Sequence, residues 1–263
     1  MAHKRRRTER APRPTPPPLP PGSRTVGQLV AETLRLYGRR FWRSLALGIP
    51  VGIIDTVAIG LSRSDAAVFE AVVGGPLLTI SYVGASVLAS DRPRPRVRQL
   101  VLAWLVGTLV FLPFPVLAFA FVLPALAWLA LVGLVVPVLV IEQLRPGAAL
   151  RRALALARAD YVHALGSLAT LAITYFIARL GLFFLLRGGS GAAERTAAFL
   201  ADLVISPLLF LGAALLYFDQ AARVGSSPRP RRRDADVHPA VQPDRAGRPD
   251  AEGEPRQAAR GQP

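Results

Sequence analysis

The chain contains no cysteine, which excludes disulfides, thiolate nucleophiles and sulfur-ligated metals. Its three histidines, His3, His163 and His238, lie far apart in the sequence and without a carboxylate cluster, so neither a metal centre nor another cofactor is expected. Lysine is almost absent too: Lys4 is the one example, and arginine carries the rest of the positive charge. The most telling absence is of charge itself. From Leu100 to Ile141, 42 residues pass with no charged side chain. That length suffices for two bilayer crossings of about 20 residues each and far exceeds a buried helix of a soluble domain. The apolar region holds no nucleophile–base pair and no metal-ligand set, so a non-enzymatic protein is expected.

What is present fits that picture. The 263 residues are 52% hydrophobic, with 32 Lys+Arg against 17 Asp+Glu, a mean hydropathy of +0.37 and a pI near 11.6. A basic excess alone points to nucleic acid or to an anionic membrane surface. The uncharged block decides for the membrane, so no nucleic-acid partner is expected. Arginine in place of lysine, with abundant Ala, Gly and Pro, suggests a bacterial source.

The expected fold class is an all-α integral membrane protein, a six-helix transmembrane bundle with amphipathic interfacial helices before spans 1 and 5. Residues 1–23 form a basic, proline-rich arm too polar to bury a core, and 225–263 a second disordered tail. Between them, residues 24–224 carry the membrane domain, with spans expected at about 44–61, 68–89, 100–120, 124–141, 163–186 and 196–218. Gly74-Gly75-Pro76 is expected to break or kink the second span, and Pro113 and Pro115 to bend the third. Residues 62–67 and 187–195 read as loops. The sequence "GRRFW" invites a twin-arginine export signal. The apolar run behind it is too long, and no small-x-small cleavage site follows.

Orientation follows from the basic residues. Twenty-eight of the 32 Lys+Arg fall in the N-terminal stretch up to Arg43, the 90–99 turn, the 142–162 link and the C-terminal stretch from Arg223. The opposite loops hold Arg63, Arg187 and Arg195. The positive-inside rule then predicts six crossings of a cell membrane with both termini cytoplasmic.

Two segments on the basic side read as amphipathic helices. From Thr25, Val26, Leu29, Val30, Thr33 and Tyr37 fall on one face, with Gln28, Glu32, Arg35, Arg39 and Arg43 on the other. From Pro146, Leu150, Ala153, Leu154, Ala157 and Tyr161 share a face opposite Arg151, Arg152 and Arg158. Residues 34–48 and 154–168 echo each other faintly at an offset of 120, as two helices leading into spans. Arg39, Arg40, Arg43, Arg151, Arg152 and Arg158 are therefore candidate contacts to the phosphates of anionic inner-leaflet lipids. Protein partners or a homo-oligomer are the other interactions this composition allows.

"VLVIEQLRPGAALRRALALARADYVHALG" resembles the signature of bacterial six-span proteins related to the membrane domain of glycerophosphoryl diester phosphodiesterases. Glu142 matches an acid ending a span, and Ala149, Leu150, Arg151 and Arg152 match its core, while Ala153 and Leu154 replace a serine and a tryptophan. "TVGQLVAETLRLYGRRFW" is similar to the family's opening helix, and "LLYFDQAARVG" to its ending, where Asp219 and Arg223 fit and Ala221 departs. The resemblance implies a membrane domain without the hydrolytic barrel, since no segment of this chain is long and soluble enough to be that barrel.

Three ionisable residues are placed inside spans: Asp55, Arg179 and Asp202. Each sits six or seven residues from the outer end of its span, roughly 10 Å deep at about 1.5 Å per residue. A shared depth predicts an Asp–Arg–Asp cluster, either a structural ion pair or a polar site open to the outer side. The functional expectation is a lipid- or partner-binding membrane module. The alternative is a small transporter working through that cluster.

Overall fold

The computed structural model describes residues 24–90, 93, 95–186 and 191–226. The two expected tails, apart from Gly225 and Ser226, and with them Arg92, Arg94 and Arg187, lie outside the described residues. Among the described residues every regular element is helical, and six helical segments are long and apolar enough to cross a membrane. They run Phe41–Ala58, Arg63–Ala89, Val97–Phe119, Val122–Ile141, Tyr161–Leu182 and Gly191–Gly225. The fold is an all-α, multi-pass six-helix bundle.

Helix α1 (Val26–Arg39) precedes the spans. Span 1 joins α2 (Phe41–Leu45), a 3-10 turn (Ala46–Gly48) and α3 (Ile49–Ala58). Span 2 joins α4 (Arg63–Phe69), a π-helical turn (Glu70–Gly74) and α5 (Gly75–Ala89). Span 3 is α6 (Val97–Phe111) with α7 (Phe114–Ala120), and span 4 is α8 (Val122–Val132) with α9 (Val135–Ile141). Helix α10 (Pro146–Ala159) leads into span 5, α11 (Tyr161–Leu186), and span 6 is α12 (Gly191–Ser226). Two expected loops shrink. Ser62 caps α4 by accepting the Asp65 N–H at 3.2 Å, so 63–67 is helix, and α12 already begins at Gly191.

The breaks follow the prolines, whose missing N–H leaves the carbonyl four residues earlier without its helical donor. Pro50 strands the Ala46 carbonyl, which takes the Ile49 N–H instead, and this makes the 3-10 turn. Pro137 does the same to Gly133, whose carbonyl receives the Val136 N–H at 3.4 Å. Neighbouring spans supply further donors. Ser81 Oγ donates to the Leu47 carbonyl at 2.7 Å, Trp104 Nε1 to Pro76 at 3.1 Å and Trp128 Nε1 to Val110 at 2.8 Å. At the expected kink of span 2, the disturbance is the π turn ahead of Gly75-Pro76, not a broken helix.

Span 6 is the centre of the bundle and packs along α11, α3, α5 and α1. Pro207 lies inside it and strips the Leu203 carbonyl of its donor. Gly48 packs directly on that carbonyl, and a Cβ there would overlap the Leu203 backbone. One turn on, Gly52 lies against the Phe199 ring. Gly48 and Gly52 thus form a small-xxx-small stripe that brings spans 1 and 6 into backbone contact.

The two amphipathic helices lie at one end of the bundle, and both bury their apolar stripes against protein. Helix α1 starts with a reciprocal Thr25–Gln28 capping box and buries Leu29, Thr33 and Leu36. Its Tyr37 hydroxyl donates to the Val204 carbonyl at 3.0 Å, and burial raises that phenol above its ordinary pKa. Helix α10 packs on α8, α9 and α12. Its buried face is Ala149, Ala153, Leu156 and Ala157, turned from the expected one, so Leu150 is exposed and Leu154 half-buried. The alanines decide this, because only small side chains let α10 approach so closely.

Candidate functional site

At the end of the bundle opposite α1 and α10, the three intramembrane charges come together. The Arg179 guanidinium pairs through Nη2 with Asp55 Oδ2 and through Nε with Asp202 Oδ1 at 3.4 Å. The Tyr175 hydroxyl, one helical turn before Arg179, donates to the same Asp202 oxygen at 2.7 Å. Asp202 is fully buried, and among the described residues its other carboxylate oxygen has no hydrogen-bond partner. Spacing explains the convergence: Tyr175 and Arg179 are four apart on α11 and share a face towards α3 and α12.

A fourth ionisable residue belongs to this group, and the sequence reading does not include it. Glu70 lies within span 2 and opens the π turn. It falls two residues inside the expected 68–89 span, next to the expected loop. Among the described residues it has no ion pair, although it lies close enough to Arg179 to interact electrostatically. Two carboxylates therefore pair with one guanidinium, and a third lines the same cavity.

The cluster closes one end of an interior cavity of about 320 Å³ to which all six spans contribute. Asp55, Glu70, Tyr175 and Arg179 line the polar end, and the remaining wall is mostly aliphatic and aromatic, including Tyr82, Phe111 and Phe210. Ser206 lines it too; it is almost fully buried, and its hydroxyl has no partner among the described residues. The breaks of spans 2, 3 and 4 all border this space, through Glu70, Phe114 and Gly133. Outside it, a groove of about 650 Å³ runs between α11 and α12 and holds Arg195, with Phe176 and Arg179 shared between groove and cavity. The arrangement can hold an amphiphile. No group of metal-binding side chains occurs among the described residues.

The other end carries a second network that spacing along the chain did not reveal. Asp219 is fully buried and accepts from Arg223 Nε at 3.2 Å, and His163 Nε2 lies 2.8 Å from the same oxygen. Arg223 also reaches Asp160 at 2.9 Å and the Arg24 carbonyl at 3.0 Å. Asp160 in turn accepts the His163 N–H at 3.1 Å and so caps α11. Beside it, Glu142 accepts from Arg152 at 3.2 Å and from the Tyr217 hydroxyl at 2.8 Å. These bonds tie α1, α10 and α11 to the end of α12.

The six candidate lipid-contact arginines divide accordingly. Arg39, Arg43, Arg151 and Arg158 are exposed. Arg152 is committed to Glu142, and Arg40 donates to the Leu88 carbonyl at 2.6 Å. Of the signature residues, Glu142, Arg152 and Asp219 make inter-helix bonds, Ala149 is buried packing, and Leu150 and Arg151 face outward. No protein-family model matches the chain, nor does any curated protein or any solved structure.

Proposed function

We propose that this protein is a non-enzymatic, amphiphile-binding module of a bacterial cytoplasmic membrane, with both termini in the cytoplasm. The observation that carries the reading is the interior cavity, apolar along its length and charged at one end. A cavity of about 320 Å³ lies within the usual range for small-molecule sites. A lipid or lipid-like molecule matches its division into apolar wall and polar end. On this reading the purified full chain retains a tightly held amphiphile after delipidation, detectable by native mass spectrometry. Ala118→Trp, which fills the cavity wall, abolishes retention. A chain that emerges empty, with a melting temperature unmoved by any added lipid, rules the reading out.

Orientation rests on the 28 basic residues of one side. The absence of cysteine makes it simple to test. Ser64→Cys should react with a membrane-impermeant maleimide in intact spheroplasts. Gly147→Cys, an open position at the start of α10, should react only after permeabilisation. The reverse pattern inverts the topology. The exposed Arg39, Arg43, Arg151 and Arg158 then face the inner leaflet, where anionic phosphates complement them. The kinship to the membrane domain of glycerophosphoryl diester phosphodiesterases is also a proposal, supported by the Glu142 and Ala149–Arg152 signature, the opening helix from Thr25 and the ending with Asp219 and Arg223.

Transport is the second reading, favoured by one observation: three spans are broken where they border the cavity, as in carriers with discontinuous helices. Movement of the retained amphiphile across proteoliposomes distinguishes a carrier from a binding module.

A further inference from the structure

We infer that the cavity selects a cationic amphiphile, with a substituted ammonium headgroup at Glu70 and Asp55 and its hydrocarbon along the bundle interior. This rests on the amphiphile-binding reading and adds the sign of the ligand's charge. Arg179 is already matched by Asp55 and Asp202 in direct ion pairs, so it does not present an open cationic site to an anionic headgroup. The spare charge is negative: Glu70 lines the cavity and has no ion pair among the described residues, while Asp55, paired with Arg179, lines the same cavity. Unmatched intramembrane charge is costly, and a ligand of opposite sign is one way to relieve it. The Ser206 hydroxyl, buried and without a partner among the described residues, gives the same wall an unused polar contact. Tyr175 and Phe176 line the same cavity, aromatic surroundings that suit a quaternary ammonium. The rest of the wall carries no charge, so it offers no ion-pair partner to a second charged group.

The test is equilibrium binding to the full chain in zwitterionic nanodiscs, corrected for empty discs, with octyltrimethylammonium, octyl sulfate and octanol as probes. The cation should bind saturably, and Glu70→Gln should weaken it at least about tenfold, as expected on losing one partner of a desolvated charge pair. Glu70→Asp should restore part of the affinity. Preference for octyl sulfate, or equal binding of all three probes with no effect of Glu70→Gln, overturns the cationic assignment while leaving amphiphile binding intact. Saturable binding of none overturns both. Should Glu70→Gln fail to assemble, the three-probe comparison on the unaltered chain decides alone.

Discussion

Gly48→Ala should be among the most damaging single-methyl changes in this molecule, lowering stability by about 3 kcal/mol. The added Cβ lands on the backbone of Leu203. Backbone cannot rotate away, so spans 1 and 6 must separate. Separation also pulls Asp55 of span 1 from the Arg179 that spans 5 and 6 hold in place. Gly52→Ala meets the Phe199 ring, a side chain able to move, and should cost about 1 kcal/mol. Gly166→Ala, in α11 with open space around it, should be neutral or slightly stabilising. Thermal unfolding of the three variants in one detergent provides the comparison. Equal melting temperatures for Gly48→Ala and Gly166→Ala would show that the close crossing contributes nothing.

Arg223→Ala should be comparably severe for a different reason. Among the described residues it leaves the fully buried Asp219 with His163 as its remaining partner, removes the ion pair at Asp160, and removes the Arg223 bond to the Arg24 carbonyl ahead of α1. Breaking a buried pair from one side costs about 3 kcal/mol or more, a fall of roughly 9 °C for a domain of this size. Arg223→Lys keeps the charge but cannot reach three acceptors with one ammonium, so it should recover less than half the loss. Because this network lies at the far end of α12 from Asp202, amphiphile binding by the folded fraction should be unaffected. A melting temperature within about 1 °C of the parent would mean that water replaces the guanidinium at no cost.

Composition made the six crossings legible, because an uncharged run as long as Leu100–Ile141 finds apolar surroundings only in a bilayer. Asp55, Arg179 and Asp202 were legible as a group for a related reason: charges at one depth of an apolar bundle have few partners other than each other. Glu70 escaped because its helix begins at Arg63, so a residue close to the expected loop is about two turns inside. The α10 face was misjudged because leucines dominate any apolar count, whereas close packing selected Ala149, Ala153 and Ala157. The Asp219–His163 contact joins residues 56 positions apart, and the Arg223–Arg24 contact joins residues 199 apart. No local pattern encodes either. The carbonyls that Pro50 and Pro137 strand are answered locally, by the Ile49 and Val136 N–H groups, whereas the Leu203 carbonyl freed by Pro207 meets Gly48 of another span, which no local pattern encodes.

The first span is the least apolar of the six, with a mean hydropathy of 1.3, and it carries Asp55 and the 3-10 interruption. Its partners are Ser81 of span 2, Arg179 of span 5 and the Leu203 backbone of span 6. Of the six spans, then, the one synthesised before the others is the one least able to stay in a membrane alone. Its residence is secured by spans 5 and 6, which are made after it. Biogenesis of this bundle closes like a ring, with the C-terminal hairpin locking the N-terminal span in place, so assembly is complete only when α12 arrives.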